Sequence, residues 1–365
     1  MLSLFQKMNK SISISLLGLF LYMALPGTAF AAAEIAGAGS SAAAPVYRTW
    51  AQEYKKATGE SIAYDPIGSG AGMTKIRQRQ ADFGASDVIA AKAELNKDGL
   101  VMFPTVISGV IPVVNLPKLT TPLRLNGETL ARIYLGEITQ WNAPEIASLN
   151  PRQSLPNLPI KVVCRSDSSG TTYHFSDYLS KASANWKTRF GTANKHAWPS
   201  TFLAVKGSSE ISKTVKNTTG AIGYIDYSYV LEDGLQATQL QNANGRYTNP
   251  SPESFRTAVI NSRWFSHGDF AETLTNMPGD ASWPITMGTY VAVPKSASDS
   301  ARAARTLRFF AWAYGHGDTL ASQAKFVPLP EKVQASAFRE ISSVLGSKGE
   351  LIGVDAINAL FKPGT

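Results

Sequence analysis

Three clusters of glycine and hydroxyl residues, one arginine and one aspartate are the parts of this 365-residue chain best suited to chemistry. Gly37-Ala38-Gly39-Ser40-Ser41, Gly68-Ser69-Gly70 and Asp167-Ser168-Ser169-Gly170-Thr171 each stand just before a segment patterned as a helix. Glycine lets a ligand or another backbone come close, and the first N–H groups of a helix have no partner inside it. With the partial positive charge of a helix start, such a turn favours an anion. One such turn is usually only an N-cap, so the weight lies in three of them and in Arg165, which leads the third. Its guanidinium is a planar fork that matches a tetrahedral oxyanion and keeps its proton. Asp87, in Ala81-Asp82-Phe83-Gly84-Ala85-Ser86-Asp87, reads on local grounds as a helix cap.

Other chemistries find less to stand on. Gly37-x-Gly39-x-x-Ala42 fits a dinucleotide fingerprint, but the strand before it is short for that context. There is no G-x-x-x-x-G-K-[ST] phosphate loop, no G-x-S-x-G nucleophile elbow and no H-E-x-x-H. The four histidines, His174, His196, His267 and His316, are scattered and read as surface or packing residues. Cys164 ends an apolar run and reads as a small buried hydrophobe. Trp186, Trp198, Trp264, Trp283 and Trp312 read as core. The sequence therefore gives no catalytic residue, no metal ligand set and no cofactor.

The elements that must hold these turns follow from periodicity. Pro45 to Lys56 carries Val46, Trp50 and Tyr54 as a helical stripe. Ser61 to Tyr64 reads as a strand, Gly68 to Gly72 as a glycine-rich turn, and Met73 to Arg79 as a helix. Val101 to Asn115 is β-branched and nearly uncharged, as strands buried on both faces are. Ile160 to Cys164 is a buried strand running into Arg165 and a helix from Thr172 to about Ala182, and Leu125 to Tyr134 is helical. Ala221 to Tyr229 and Ile285 to Val293 read as strands, and Ala301 to Tyr314 as a helix. The alternation predicts an α/β architecture with helices on both sides of a mostly parallel sheet. No single Pro/Gly/Ser linker divides the chain, which points to two domains that interleave and share their crossings.

Composition bounds the class. With 44% hydrophobic and 17% charged residues the chain can build real cores, and one cysteine excludes an intrachain disulfide framework. The formal charge is +8. Lys7 and Lys10 precede an apolar stretch from Ile12 to Leu25, Pro26 and Gly27 break it, and Ala29-Phe30-Ala31 supplies the small residues of a cleavage site. That order predicts a secretory signal peptide over residues 1–31, cleaved near Ala31, and no stable membrane anchor. The leader takes two lysines and no acid with it. The mild excess that remains is not gathered into a basic run, which argues against nucleic acid and fits a cleft that meets small anions.

At these residues the chain resembles the periplasmic phosphate-binding proteins of bacterial ABC phosphate importers. The resemblance rests on residues 37–47, 64–70, 82–87, 103–106, 133–138, 165–171, 220–224 and 283–286, in the family's order. It implies a two-domain periplasmic-binding-protein fold with a crossing-strand hinge: residues 35–114 with 287–365 as domain I, and 115–286 as domain II. It also implies a periplasmic, non-enzymatic carrier that closes over inorganic phosphate and delivers it to a membrane-embedded permease. Carried over by motif, Ser41, Ser69, Ser169 and Thr171 would give hydroxyl and backbone donors, and Ala42 and Gly170 backbone N–H groups. Arg165 would pair with phosphate oxygens, Asp167 would orient it, and Asp87 would accept from the protonated oxygen. The rival readings are a secreted phosphatase using one of the hydroxyls, a phosphate scavenger or adhesin of the same fold, and a sulfate or molybdate carrier. Asp87 argues against the last.

Overall fold

The 15-residue strand Leu100–Val114 organises the molecule, and every one of its residues is buried. At that length it spans roughly 50 Å, about three times an ordinary strand. The computed structural model describes residues 34–361, so the leader expected over 1–31 lies outside the described residues.

In chain order the strands are β1 Ile35–Gly39, β2 Ile62–Asp65, β3 Phe83–Ser86, β4 Leu100–Val114, β5 Arg124–Leu125 and β6 Lys161–Arg165. They continue as β7 Leu203–Val205, β8 Ala221–Asp226, β9 Gln236–Ala237, β10 Gln239–Gln241, β11 Tyr247–Thr248 and β12 Thr286–Pro294. One sheet runs in the order β2-β1-β3-β12-β4-β8-β6-β7, with β9 beside β4. A small second sheet runs β11-β10-β5. The first part of β4, Leu100 to Gly109, pairs with β12, and the last part, Val110 to Val114, pairs with β8. A single strand thus belongs to two wings of the sheet.

The α/β class holds, but the expected mostly parallel sheet does not. Within each wing β1 runs parallel to β2 and β3, and β6 to β7 and β8. At the centre β12 is antiparallel to β3 and β4, and β4 is antiparallel to β8. Hydrophobic runs report burial on both faces and say nothing of strand direction.

Local chemistry sets the helix ends. Ala44–Thr58 starts with a proline in its first turn and stops at Gly59, whose φ of 78° only glycine adopts cheaply. Its buried stripe of Val46, Tyr47, Trp50 and Tyr54 packs on a core in which Tyr47, Tyr64, Phe83 and Phe310 meet edge to face. In the other wing Tyr134, Phe175 and Tyr224 pack together, the last two stacked at 4.2 Å.

Two expected boundaries move. The second helix runs Ser69–Arg77, so Gly70, Ala71 and Gly72 form its first turn where a glycine-rich loop was expected. The strand expected over 221–229 ends at Asp226, because that side chain accepts from Ser228 N–H and caps a helix, Tyr227–Glu232. Beyond Ser343 the chain bridges from Leu345 to Ser296, and the helix Ile352–Asn358 packs so closely that a Cβ on Gly353 would lie 1.8 Å from the Ile341 carbonyl oxygen.

Candidate functional site

Four helix starts converge where the two wings face each other. The first lies in the turn before Ala44–Thr58. Ser40 and Ser41 there are buried, and Gly39 before them has φ 147° with its Cα against the Ala85 backbone. The second is Ser69, the first residue of Ser69–Arg77, entered through Gly68 at φ 97°. The third is the helix Gly170–Ala182, capped by Ser169, whose hydroxyl accepts from Thr172 N–H at 3.2 Å. The fourth, Gly207–Asn217, begins Gly207-Ser208-Ser209. The sequence reading did not single it out, although it carries the same glycine-hydroxyl signature.

Asp87 sits at the junction of the second and third starts and is 1% exposed. Its Oδ1 accepts from Thr289 Oγ1 at 2.7 Å, and its Oδ2 from Ser40 Oγ at 2.8 Å and Ser69 Oγ at 3.4 Å. Ser69 Oγ accepts in turn from Gly170 N–H at 3.2 Å and from the Asp87 N–H at 3.3 Å. Gly170 is a close approach that needs its missing side chain, since a Cβ would lie 2.5 Å from Asp87 Cβ. Burial pushes the Asp87 carboxyl up, and the Ser40 and Thr289 hydroxyls and the charge of Arg165 pull against it.

Arg165 ends β6 and is 2% exposed. Its Nε and Nη2 donate to the two oxygens of Asp167 at 2.7 and 2.6 Å. Burial would raise Asp167, but the Arg165 hydrogen bonds and charge, with the Gly207 N–H at 3.2 Å, hold it below the usual carboxylate range. Trp198 Nε1 donates to the Arg165 carbonyl at 2.9 Å.

The structure brings Ser69, Asp87, Gly170 and the Arg165–Asp167 pair together from the expected set. Thr171 lies one residue beyond Gly170 and is 1% exposed, with its Oγ1 buried and unpartnered. Ser169 Oγ accepts in the cap and keeps its O–H to donate. Ser41 turns toward the fourth start: its Oγ lies 2.9 Å from Ser208 Oγ and accepts from Ser208 N–H at 3.2 Å, while its carbonyl accepts from Tyr229 OH at 2.9 Å. Ala42 is buried in the core of the first wing.

Sequence reasoning placed Ser40 in the first glycine-hydroxyl turn without a role, missed Thr289, Ser208 and Tyr229, and undervalued His174. That ring packs, as expected, but it does so against the site: His174 Nε2 lies 2.6 Å from the Asp87 carbonyl. A carbonyl can only accept, so Nε2 carries the proton and Nδ1 is left without a partner. Burial keeps this imidazole neutral. Cys164 is buried beside Arg165, and burial pushes its thiol up to about 12, as suits a packing residue. Trp186, Trp264 and Trp283 are fully buried, and Trp198 and Trp312 pack against the core from partly buried positions. Among the described residues no group of three or more His, Cys, Asp or Glu side chains could hold a metal ion. The arrangement can therefore surround an oxyanion with neutral donors, one cation and one acceptor.

Comparison with known proteins agrees in kind. A family model described as a PBP superfamily domain matches residues 26–314. A phosphate-binding protein PstS of Xylella fastidiosa is 42% identical over 298 residues, covering 81% of this chain and 82% of that protein. One of Pasteurella multocida is 41% identical over 317 residues, covering 86% and 92%. Among solved structures, the phosphate-bound periplasmic phosphate-binding protein PfluDING superposes with a TM-score of 0.69 at 19% identity, over 91% of this chain and all of that one. A phosphate-binding protein from Stenotrophomonas maltophilia superposes at 0.62 and 20% identity, over 84% and 94%. Those identities speak to the fold alone.

Proposed function

The chain belongs to the PstS-type phosphate-binding proteins of the PBP superfamily, and on that premise we propose that it is an exported carrier of inorganic phosphate that hands its cargo to an ABC transporter permease. The observation that carries this reading is Asp87, an acid buried where two helix N-termini meet and within the field of Arg165. An ion pair at ~4 Å is worth on the order of 4 kcal/mol at an effective dielectric near 20, so one arginine does not neutralise a buried dianion. The N–H groups at the starts of the 69–77 and 170–182 helices supply the remainder. Arg165 would offer the N–H groups that Asp167 leaves free. Thr171 Oγ1 would gain the partner it lacks, since a buried hydroxyl without one costs about 1–3 kcal/mol.

Asp87 would then choose the cargo. An ionised carboxylate accepts and cannot donate, so it suits an oxygen that still bears a proton. Sulfate, without a proton at neutral pH, would meet it lone pair to lone pair. A site built on a required hydrogen bond can reject an analogue lacking it by about 10⁴-fold. Arsenate keeps the proton and would be rejected far less.

We read residues 35–114 with 287–365 as one lobe and 115–286 as the other, joined through β4, which changes partners between Gly109 and Val110. The bond from Trp283 Nε1 to the Val110 carbonyl, 3.0 Å, ties the returning crossing to the same point. A cleaved leader over 1–31 would deliver the protein to the periplasm, and among the described residues no helix is long and apolar enough to cross a membrane.

Tryptophan fluorescence titrated with phosphate, arsenate and sulfate tests the reading. Saturable responses to the first two and little to sulfate are expected, because Trp198 is bonded to the Arg165 carbonyl. Equal responses to all three would end it. A chromogenic phosphate ester separates carrier from phosphatase: the carrier turns nothing over.

A further inference from the structure

A buried acid that must face an anion has every reason to protonate, because desolvation and like charge both favour its neutral form. Once protonated it could donate, and the distinction between phosphate and sulfate would fade. Something in the fold must hold it ionised. Arg165 acts through its charge but is bonded to Asp167, and His174 reaches only the Asp87 carbonyl. The groups that touch the carboxylate are hydroxyls, and each oxygen has a close one: Thr289 Oγ1 on Oδ1 at 2.7 Å and Ser40 Oγ on Oδ2 at 2.8 Å. Both are at least 98% buried, so water does not replace them freely.

Their placement also leaves room for cargo. A carboxylate oxygen has two lone-pair sites. Ser40 fills one on Oδ2, while Ser69, at 3.4 Å, holds the other only weakly and also serves Gly170. We infer, resting on the phosphate-carrier reading, that Ser40 and Thr289 are positioning residues that keep Asp87 an acceptor-only carboxylate and so set the pH range over which the site prefers a protonated oxyanion to sulfate.

Other ionisable groups bear on Asp87 from the elements around it. Tyr47, Tyr64 and Tyr290 have phenols that burial pushes up, and they stay neutral. His174 is kept neutral by burial. Asp226, at the end of β8, is pushed up to about 7 by burial, with a contribution from Asp87, and would titrate alongside it. The comparison is therefore run in an Asp226→Asn background as well.

The experiment measures phosphate and sulfate affinity by calorimetry across pH for the exported protein and its Ser40→Ala, Thr289→Val and Ser40→Thr variants. Infrared titration of the carboxylic-acid carbonyl band, assigned by its loss in Asp87→Asn, reports the proton itself. Removing either hydroxyl should move the pH at which selectivity fades, and the infrared midpoint, upward by about one pH unit, the size expected for one hydrogen bond to a charged group. Ser40→Thr should return both to the wild-type position, which a merely structural role for Ser40 would not require. If Ser40→Ala does not fold, Thr289→Val decides alone. Coincident midpoints in all folded variants overturn this inference while leaving phosphate binding intact. Absence of phosphate binding in the wild type overturns the carrier reading instead.

Discussion

Arg165 and Asp167 divide one task between them. Asp167 takes Nε and Nη2 of the guanidinium, fixing its plane, and is itself fixed by the Gly207 N–H at the fourth helix start. A ligand at that fork would find it already aimed, and no rotamer entropy would be lost at binding. Because its charge is indifferent to which oxyanion it meets, Arg165→Ala should weaken phosphate, arsenate and sulfate alike, by roughly 10- to 150-fold each for a charged hydrogen bond of about 1.5–3 kcal/mol. Calorimetric titration of the three ions checks this, and a change in their order would move discrimination onto Arg165. The helix starts were legible in sequence because glycine and hydroxyl residues repeat before three segments patterned as helices, and Arg165 leads one of them. Asp87 was not legible as more than a cap on local grounds. Its partners Ser40 and Thr289 are 47 and 202 residues away, and only folding brings them to it.

Elements carry the positioning. A β-bulge shifts the β4–β12 register between Thr289 and Tyr290, which face Val106 and Pro104. Pro104 has no N–H for the ladder, and Thr105, the extra residue, donates to the Thr289 carbonyl at 3.1 Å. The irregularity coincides with the residue whose hydroxyl reaches Asp87. Across the cleft Gly70 N–H donates to the Ser168 carbonyl at 3.1 Å, and a Cβ on Gly70 would lie 2.4 Å from Ser168 Cβ. Gly70→Ala should therefore prop the wings apart and weaken phosphate binding, about tenfold for a cost near 1.4 kcal/mol, although alanine suits a helix better. Ser168→Gly in the same chain should restore it, and additive losses by calorimetry would refute the clash. Asp226 makes a pH-dependent claim. Its folded value near 7 lies above the unfolded 3.8, so the fold binds more protons between about pH 4 and 7 and loses stability as pH rises through that window, on the order of 4 kcal/mol when complete. Asp226→Asn keeps an acceptor for Ser228 and should raise the melting temperature several degrees at pH near 8 and little near 4. An equal shift at both would detach it from titration. Helix and strand segments were readable from periodicity. Their ends and the antiparallel centre were not, because caps such as Asp226 compete with apolar runs, and direction leaves no mark in composition.

At the scale of the whole molecule, the helix starts of the two wings touch through polar contacts: Gly70 to Ser168, Gly170 to Ser69, His174 to the Asp87 carbonyl, and Ser41 to Ser208 and Tyr229. Such contacts can part and re-form around a ligand in a way that an apolar interface cannot, which suits hinge closure on a long shared strand. The lack of a single linker agrees with a chain that returns through β12 to the wing of β1 and β3. The role of β4 was not legible, since nothing in a 15-residue apolar run says that its two ends will find different partners. The most direct measurement is the phosphate-to-sulfate affinity ratio at neutral pH, by calorimetry, for the wild type and for Asp87→Ala. Selection by Asp87 predicts a ratio of about 10⁴ or more that collapses toward parity in the variant, with phosphate itself bound more weakly. A ratio unchanged by the loss of Asp87 would contradict it.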